Sequence, residues 1–403
     1  MRMSLLADRQ VTIVGAGIGG AGAALLLAAD GARVTLLERV REPRAVGAGI
    51  LLQPNGLAVL HGLGMEAALR ARSFAAATVP ISDGLGRPIL STRMPDFGDG
   101  LDHALVLRRS DLFEILHDAV QAQPRIQLVL GAEVLGASPT GAVTVQIQRS
   151  DGRVETQTLN ADLVIGADGV DSRTRAGGDF GARVRRTGIS YVRGISPHQA
   201  SQESVSEAWT ELGIFGIGPL RRGTYFFTSA RAPAVAAALA KRDLDAFREV
   251  WRHAYPPSVP LLAGLRGFDD LLLNEVVRVD CARFVDGRLV LLGDAAHAMA
   301  PNLGQGANSA LVDAAVLTHE LRHAASLDEA LARYDRRRRP AVRRVQDVAG
   351  RLTRLTDLRA PLVRGLRDNA LRLFGRLSDG SAEARKAQQE DPAWLLATTR
   401  QRG

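Results

Sequence analysis

The sequence predicts an α/β protein in which a doubly wound parallel sheet is joined to a second, antiparallel sheet and followed by helices. Three observations predict it. Val11-Thr12-Ile13-Val14 is a short, fully apolar run of the kind buried in a parallel sheet, and it leads into Gly15-Ala16-Gly17-Ile18-Gly19-Gly20. Between Gly188 and Ser229 the pattern changes to alternating segments rich in β-branched and aromatic residues. From Asp313 onward the chain reads almost entirely helical.

In order, residues 11–14 form a strand, and the glycines turn into a helix that reaches about Asp30, where Gly31 ends it. Residues 33–38 make the next strand, and the crossover rule sets the hand of this βαβ unit. Residues 55–69 read as short helices broken at Gly62 and Gly64, and 74–94 as strands around Asp83-Gly84-Leu85-Gly86. Ser110 is placed to cap a helix running to Ala122. Strands follow at 127–130, 133–137, 142–149 and 153–159, the last two turning at Asp151-Gly152. Residues 162–165 are a further apolar strand. Strands at 189–195, 205–217 and 224–230 precede a helix over 244–255, and 289–292 form another buried strand. A helix starts near Ala307, and Pro340 and Pro361 are expected to break the helices beyond it.

Composition narrows the function. At 403 residues, 46% hydrophobic and 23% charged, the chain can bury a substantial core. Its one cysteine, Cys281, excludes an internal disulfide framework and a cysteine-rich zinc site, and no metal site is expected. The net charge of +8 is nearly all arginine, and aromatics at 4% leave few platforms for stacking bases, so no nucleic-acid partner is expected. The cluster Arg336-Arg337-Arg338-Arg339 with Arg343 and Arg344 reads as a solvated helix face. Residues 1–10 lack a secretory apolar run and 21–29 are too short to span a bilayer, so a cytoplasmic protein without stable membrane insertion is expected. Leucines and arginines over 352–377 recur at near-helical spacing, a face for packing across another domain or a subunit rather than a membrane surface. A monomer or homodimer is expected.

Two signatures carry the chemistry. Gly15, Gly17 and Gly20 have the spacing of a dinucleotide turn: one for the tight turn, one for approach to a pyrophosphate, one for helix–strand packing. The helix N-terminus favours a diphosphate. Glu38 closes the second strand, where a carboxylate accepts hydrogen bonds from a ribose diol and repels a 2′-phosphate. Far downstream, Gly293-Asp294 ends a buried strand, so that Asp294 can take a ribityl hydroxyl. Pro301 to Gly306, with Gly304, opens a helix at Ala307 whose N–H groups suit the anionic edge of a reduced flavin. Together the two ends argue for FAD. Ser172, His297 and Asp294 do not make a hydrolase triad, because the chain has no G-x-S-x-G elbow.

These motifs, with Asp168-Gly169-x-x-Ser172-x-x-Arg175 between them, resemble the class A flavoprotein monooxygenases, the p-hydroxybenzoate-hydroxylase-like group that includes salicylate and quinolone hydroxylases, over residues 10–345. Gly47-Ala48-Gly49-Ile50, Gln53-Pro54-Asn55 and Arg109-x-x-Leu112 also resemble family patterns. The resemblance implies a Rossmann-like FAD-binding domain (1–73, 102–180, 281–345), an inserted antiparallel β-sheet substrate domain (74–101, 181–280) and a C-terminal helical segment (346–403). It adds Arg39, Gly49, Arg109, Asp168 and Arg175 to the FAD set, and Arg44 as a contact for NADH or NADPH. The implied reaction hydroxylates a small aromatic or polycyclic substrate with O2 through a flavin C4a-hydroperoxide. A tryptophan common beside Arg193 in the family is Val192 here.

Alternation puts Tyr191, Arg193 and Ile195 on one face and pairs Tyr225 with Phe227, with Trp209 and Phe215 as further substrate contacts, although core packing is the commoner role of a strand aromatic. Arg193, Tyr225, His297 and Pro301 are the candidates for catalytic residues, and Tyr191, His198 and Tyr225 for a base. The alternatives are an oxidase, reductase or halogenase on the same scaffold, and a flavin-bearing binding protein without turnover. The halogenase lacks its W-x-W-x-x-I pattern, since Trp209, Trp251 and Trp394 stand far apart.

Overall fold

The computed structural model describes residues 5–42, 48–149, 152–200, 205–378 and 380–400. A six-stranded sheet runs in the order Val285–Asp286, Leu289–Leu291, Leu163–Gly166, Gln10–Val14, Arg33–Glu38, Ile126–Leu130. Only its first pair is antiparallel. The inner strands are apolar on both faces because helices cover both, and Val11, Ile13, Leu163, Ile165, Leu289 and Leu291 are buried. Register aligns Val14 with Gly166 and Gly166 with Leu291. Three strand ends far apart in sequence therefore finish side by side, at the edge where ligands of open α/β sheets bind.

The second sheet has seven strands, in the order Leu272–Asp280, Arg183–Ser196, Thr224–Ser229, Gly213–Pro219, Ser206–Thr210, Thr78–Asp83, Pro88–Arg93. One face packs under the helices Pro233–Ala240 and Leu244–Ala254 through Phe215, Phe226, Phe247 and Trp251. The other face looks toward the strand ends of the first sheet.

Several expectations need correction. The helix expected to start at a Ser110 cap is Arg109–Ala122, with Arg108 at the cap position and Ser110 inside the first turn. Residues 205–217 are a hairpin that turns at Gly213 (φ 106°) rather than one strand. Leu272–Asp280 escaped notice because Asn274, Glu275 and Arg278 blur its alternation. Helix Leu327–Thr356 runs through Pro340 without a break. Arg336, whose carbonyl loses its partner there, and Pro340 both lie on the solvent side, where water can serve that carbonyl. Pro361 opens the helix Pro361–Leu377 as its first residue. This helix packs on strand Pro88–Arg93 and not across the first sheet, with Leu362, Leu366, Leu373 and Leu377 exposed. The last helix, Pro392–Thr399, does rest on that domain, against Pro54–Gly62 and Gly306–His323. Among the described residues no helix is long and apolar enough to cross a membrane.

Candidate active site

A single cavity of about 1930 Å³ runs from the first sheet's strand ends to the open face of the second. At one end lie Gly15, Gly17, Glu38 and Arg39. Gly15 has φ 97°, and a Cβ there would lie 2.6 Å from the Ala167 carbonyl oxygen, so the turn admits only glycine. Gly20 is outside the cavity lining: its α-carbon faces the Gly15 carbonyl, 1.9 Å from where a Cβ would sit. Gly17 has nothing within 4 Å of its missing Cβ, and it caps helix Ile18–Ala29, whose N–H groups thus face open space. Glu38 accepts from the Ala16 and Val40 N–H groups, 3.0 Å each, which ties the glycine turn to the second strand while leaving lone pairs for a ribose. Glu38→Ala is expected to weaken FAD binding about tenfold or more, read from the recovery of free-flavin fluorescence; wild-type affinity would refute the assignment.

The middle of the cavity joins the two other motifs. Ser172 caps helix Arg173–Ala176 by accepting from the Arg175 N–H. Arg175 donates to the carbonyls of Val170 (2.6 Å) and Ala295 (2.8 Å), which locks this turn to the Gly293-Asp294 loop. Asp168 accepts from the Thr174 N–H and hydroxyl through Oδ2, while its Oδ1 is buried without a partner. Asp294 is exposed into the cavity, and burial, offset by Asp294, lowers the pKa of the nearby Arg109. Gly304 (φ 61°), Gly306, Ala307 and Pro301 line the far wall, and a Cβ on Gly306 would meet nothing within 4 Å. An orphaned acceptor at Asp168 and two bare glycine edges fit a long ligand carrying hydroxyls and a diphosphate, as FAD does. Gly49 lines the cavity against the Tyr225 ring; Arg44 lies outside the described residues.

His297 is not in the cavity. Its Nε2–H donates to Asp313 Oδ2 (2.5 Å), which also accepts from the Gly293 N–H, while Asp313 Oδ1 accepts from Arg338 Nε (2.7 Å). All three side chains are buried, so Arg338 is no part of a solvated face. Burial alone would raise the Asp313 carboxyl, but His297, Arg338 and the Gly293 N–H outweigh it and hold it at about 2. Arg338 also donates to Gln389, which in turn donates to Gln305 and Ser309 behind the Gly304–Gly306 turn. Gln389 keeps φ 68°, unusual for a side-chain-bearing residue. These supports escaped the sequence reading because Gln389 carries no motif.

Tyr191, Arg193, Trp209, Tyr225 and Phe227 all line the cavity where it meets the second sheet. Phe215 does not. It pairs with Ala208 and Thr228, on the opposite face from Trp209 and Phe227, and packs against Phe226, Trp251 and Tyr255. His198 is exposed and outside the lining. Tyr191 donates to Asn302 Oδ1 (3.0 Å), and burial raises its phenol, as it does that of Tyr225, so neither is prepared to act as a base. Glu207, missed in the sequence, also lines the cavity. Beyond it an apolar sleeve continues between Ile81, Leu90, Leu352, Leu355, Leu371 and Phe374.

A family model described as "FAD binding domain" matches residues 8–349. The chain is 33% identical to the aurachin C monooxygenase/isomerase of Stigmatella aurantiaca, over 80% of this chain and 83% of that protein. It is 30% identical to a 2-heptyl-3-hydroxy-4(1H)-quinolone synthase of Mycobacteroides abscessus, over 88% and 93%. The solved structure of Klebsiella pneumoniae HpxO complexed with FAD and uric acid superposes with a TM-score of 0.77 at 25% identity, covering 93% of this chain and 96% of that one. With three motifs meeting at one cavity and a family model spanning most of its length, the chain belongs to the class A FAD-dependent aromatic monooxygenases.

Proposed function

We propose that this enzyme uses NADH or NADPH and O2 to hydroxylate a small aromatic or polycyclic substrate. The observation that carries the proposal is the continuity of the cavity from Gly17 and Asp294 to Tyr225, Phe227 and Trp209. Gly15, Gly17 and the helix tip behind them receive the diphosphate, and Glu38 the adenosine ribose. Asp168, Asp294 and Arg109 line the middle for the ribityl chain. The N-terminus of helix Gly306–His323 stabilises negative charge on the ring system. Bound flavin supplies hydride acceptance from NAD(P)H and, once reduced, activation of O2, one atom going to the substrate and the other to water. The protein orients the substrate ring and keeps water out, for which the apolar sleeve and the aromatic wall are suited. The sleeve also gives an alkyl substituent a place to lie, and one relative acts as a heptyl-quinolone synthase.

Anaerobic NADPH or NADH should bleach the flavin faster when an aromatic substrate is present, and ¹⁸O2 should then put one labelled atom into the product. Reoxidation that releases all the oxygen as peroxide, with every aromatic acceptor tried, would favour the oxidase or reductase reading.

A further inference from the structure

Cross-strand register lines up one row of side chains over the open face of the second sheet. Arg193 is opposite Phe227, Phe227 opposite Gly216, Gly216 opposite Glu207, and Glu207 opposite Ile81. Gly216 leaves a gap in that row, and the Phe227 ring fills it: a Cβ on Gly216 would lie 2.1 Å from that ring. The row thus reads guanidinium, flat ring, carboxyl. The strands that carry its two ends lie three spacings apart, about 14 Å from backbone to backbone, which leaves room for an aromatic ring between the two side chains.

Glu207 is an unusual group for this position. Its Oε2 accepts from Trp209 Nε1 (2.9 Å), and among the described residues no cation pairs with the carboxyl. Burial raises its pKa, only partly offset by Trp209, which makes the carboxylate a stronger acceptor than one in water. The half-buried carboxyl opens on the cavity, so a ligand there can supply the donor that its apolar wall lacks. Packing alone does not account for it, since Leu would fill the same space.

We propose that Glu207 is the polar anchor for the substrate, and that the substrate is a flat heteroaromatic ring with an N–H or O–H donor on the edge facing Glu207 and a carbonyl or carboxylate on the edge facing Arg193. The ring lies on Phe227 between them. This rests on the hydroxylase reading of the cavity and adds the chemical class it takes.

The test uses FAD-loaded protein and two probes, 4(1H)-quinolone and its 1-methyl derivative, which share a ring and a carbonyl and differ in the N–H. Calorimetric titration of the wild type should show the N–H ring binding at least tenfold tighter. Glu207→Leu should erase that preference by weakening the N–H ring alone. Glu207→Gln keeps an acceptor for Trp209 but not the charge, and should cut the preference about fivefold; it carries the test if the leucine variant does not fold. An equal loss for both probes in Glu207→Leu, which is what a mere prop for Trp209 produces, overturns the inference. So does a preference left undiminished by either substitution, or a wild type that binds neither probe. Probe binding is read without turnover, so the hydroxylase reading keeps its own tests in wild-type flavin reduction and ¹⁸O incorporation.

Discussion

Gly20→Ala is expected to purify colourless, or with FAD bound at least tenfold more weakly than in the wild type. Helix propensity alone points the other way, since alanine in place of glycine inside a helix normally gains about 1 kcal/mol. Here the added carbon would sit 1.9 Å from the Gly15 carbonyl oxygen, and that carbonyl belongs to backbone which cannot swing aside. Gly15 is pinned by its own N–H to the Leu37 carbonyl (2.8 Å) and by φ 97°. Helix Ile18–Ala29 must therefore back away from the strand, at a cost on the order of 1–3 kcal/mol, and its tip leaves the cavity. Gly17→Ala makes the contrast. Its new carbon meets no protein atom within 4 Å, so the flavin-free protein should melt as the wild type does while FAD affinity falls. Absorbance at 450 nm and melting curves with and without FAD separate the two. If Gly17→Ala binds FAD normally, no ligand passes that edge.

Asp313→Ala should be the most destabilising single change away from the cavity. It leaves the Arg338 guanidinium, the His297 ring and the Gly293 N–H buried without their acceptor. Breaking a buried pair from one side costs about 3–5 kcal/mol, which for a chain this long lowers Tm by about 5 °C. Flavin affinity should fall too, because Gly293 precedes Asp294. The same group sets an acid limb. Its folded pKa, about 2, lies below the ordinary 3.8, so its contribution is complete above pH 4 and is lost as pH falls toward 2. That contribution is about 2–3 kcal/mol. The gap in unfolding free energy between the wild type and Asp313→Asn should narrow between pH 4 and pH 2. A gap constant over that range would show that the carboxylate is not held ionised by its neighbours.

The glycine-turn end of the cavity was legible because each element there has a local cause. Gly15, Gly17 and Gly20 are forced by a turn, an open edge and a helix contact, and apolar runs announce the strand that carries Glu38 and the one that leads to Asp294. The end under the second sheet was less so. Tyr225, Phe227, Trp209 and Phe215 look alike in a sequence, and only the hairpin register, Trp209 opposite Ile214 and Phe215 opposite Ala208, sends Phe215 to the other face. Glu207 passed for an ordinary polar residue on a strand, since nothing local marks the sheet position that turns it into the cavity. The role of Asp313 was hidden for a similar reason. Its partners come from residues 293, 297 and 338, which meet only after two helices have packed.

Gln389 has a consequence for how the enzyme is born. The turn at Gly304–Gly306 is backed by a residue translated some eighty positions later, held in a backbone state it would not choose alone. A nascent chain, folding from its beginning, can form the Gly15–Gly20 turn early yet must wait for this late arrival before the Gly304–Gly306 turn is braced. Coloration during synthesis is therefore expected late, and a chain cut short before Gln389 is expected to hold flavin more weakly than the whole one.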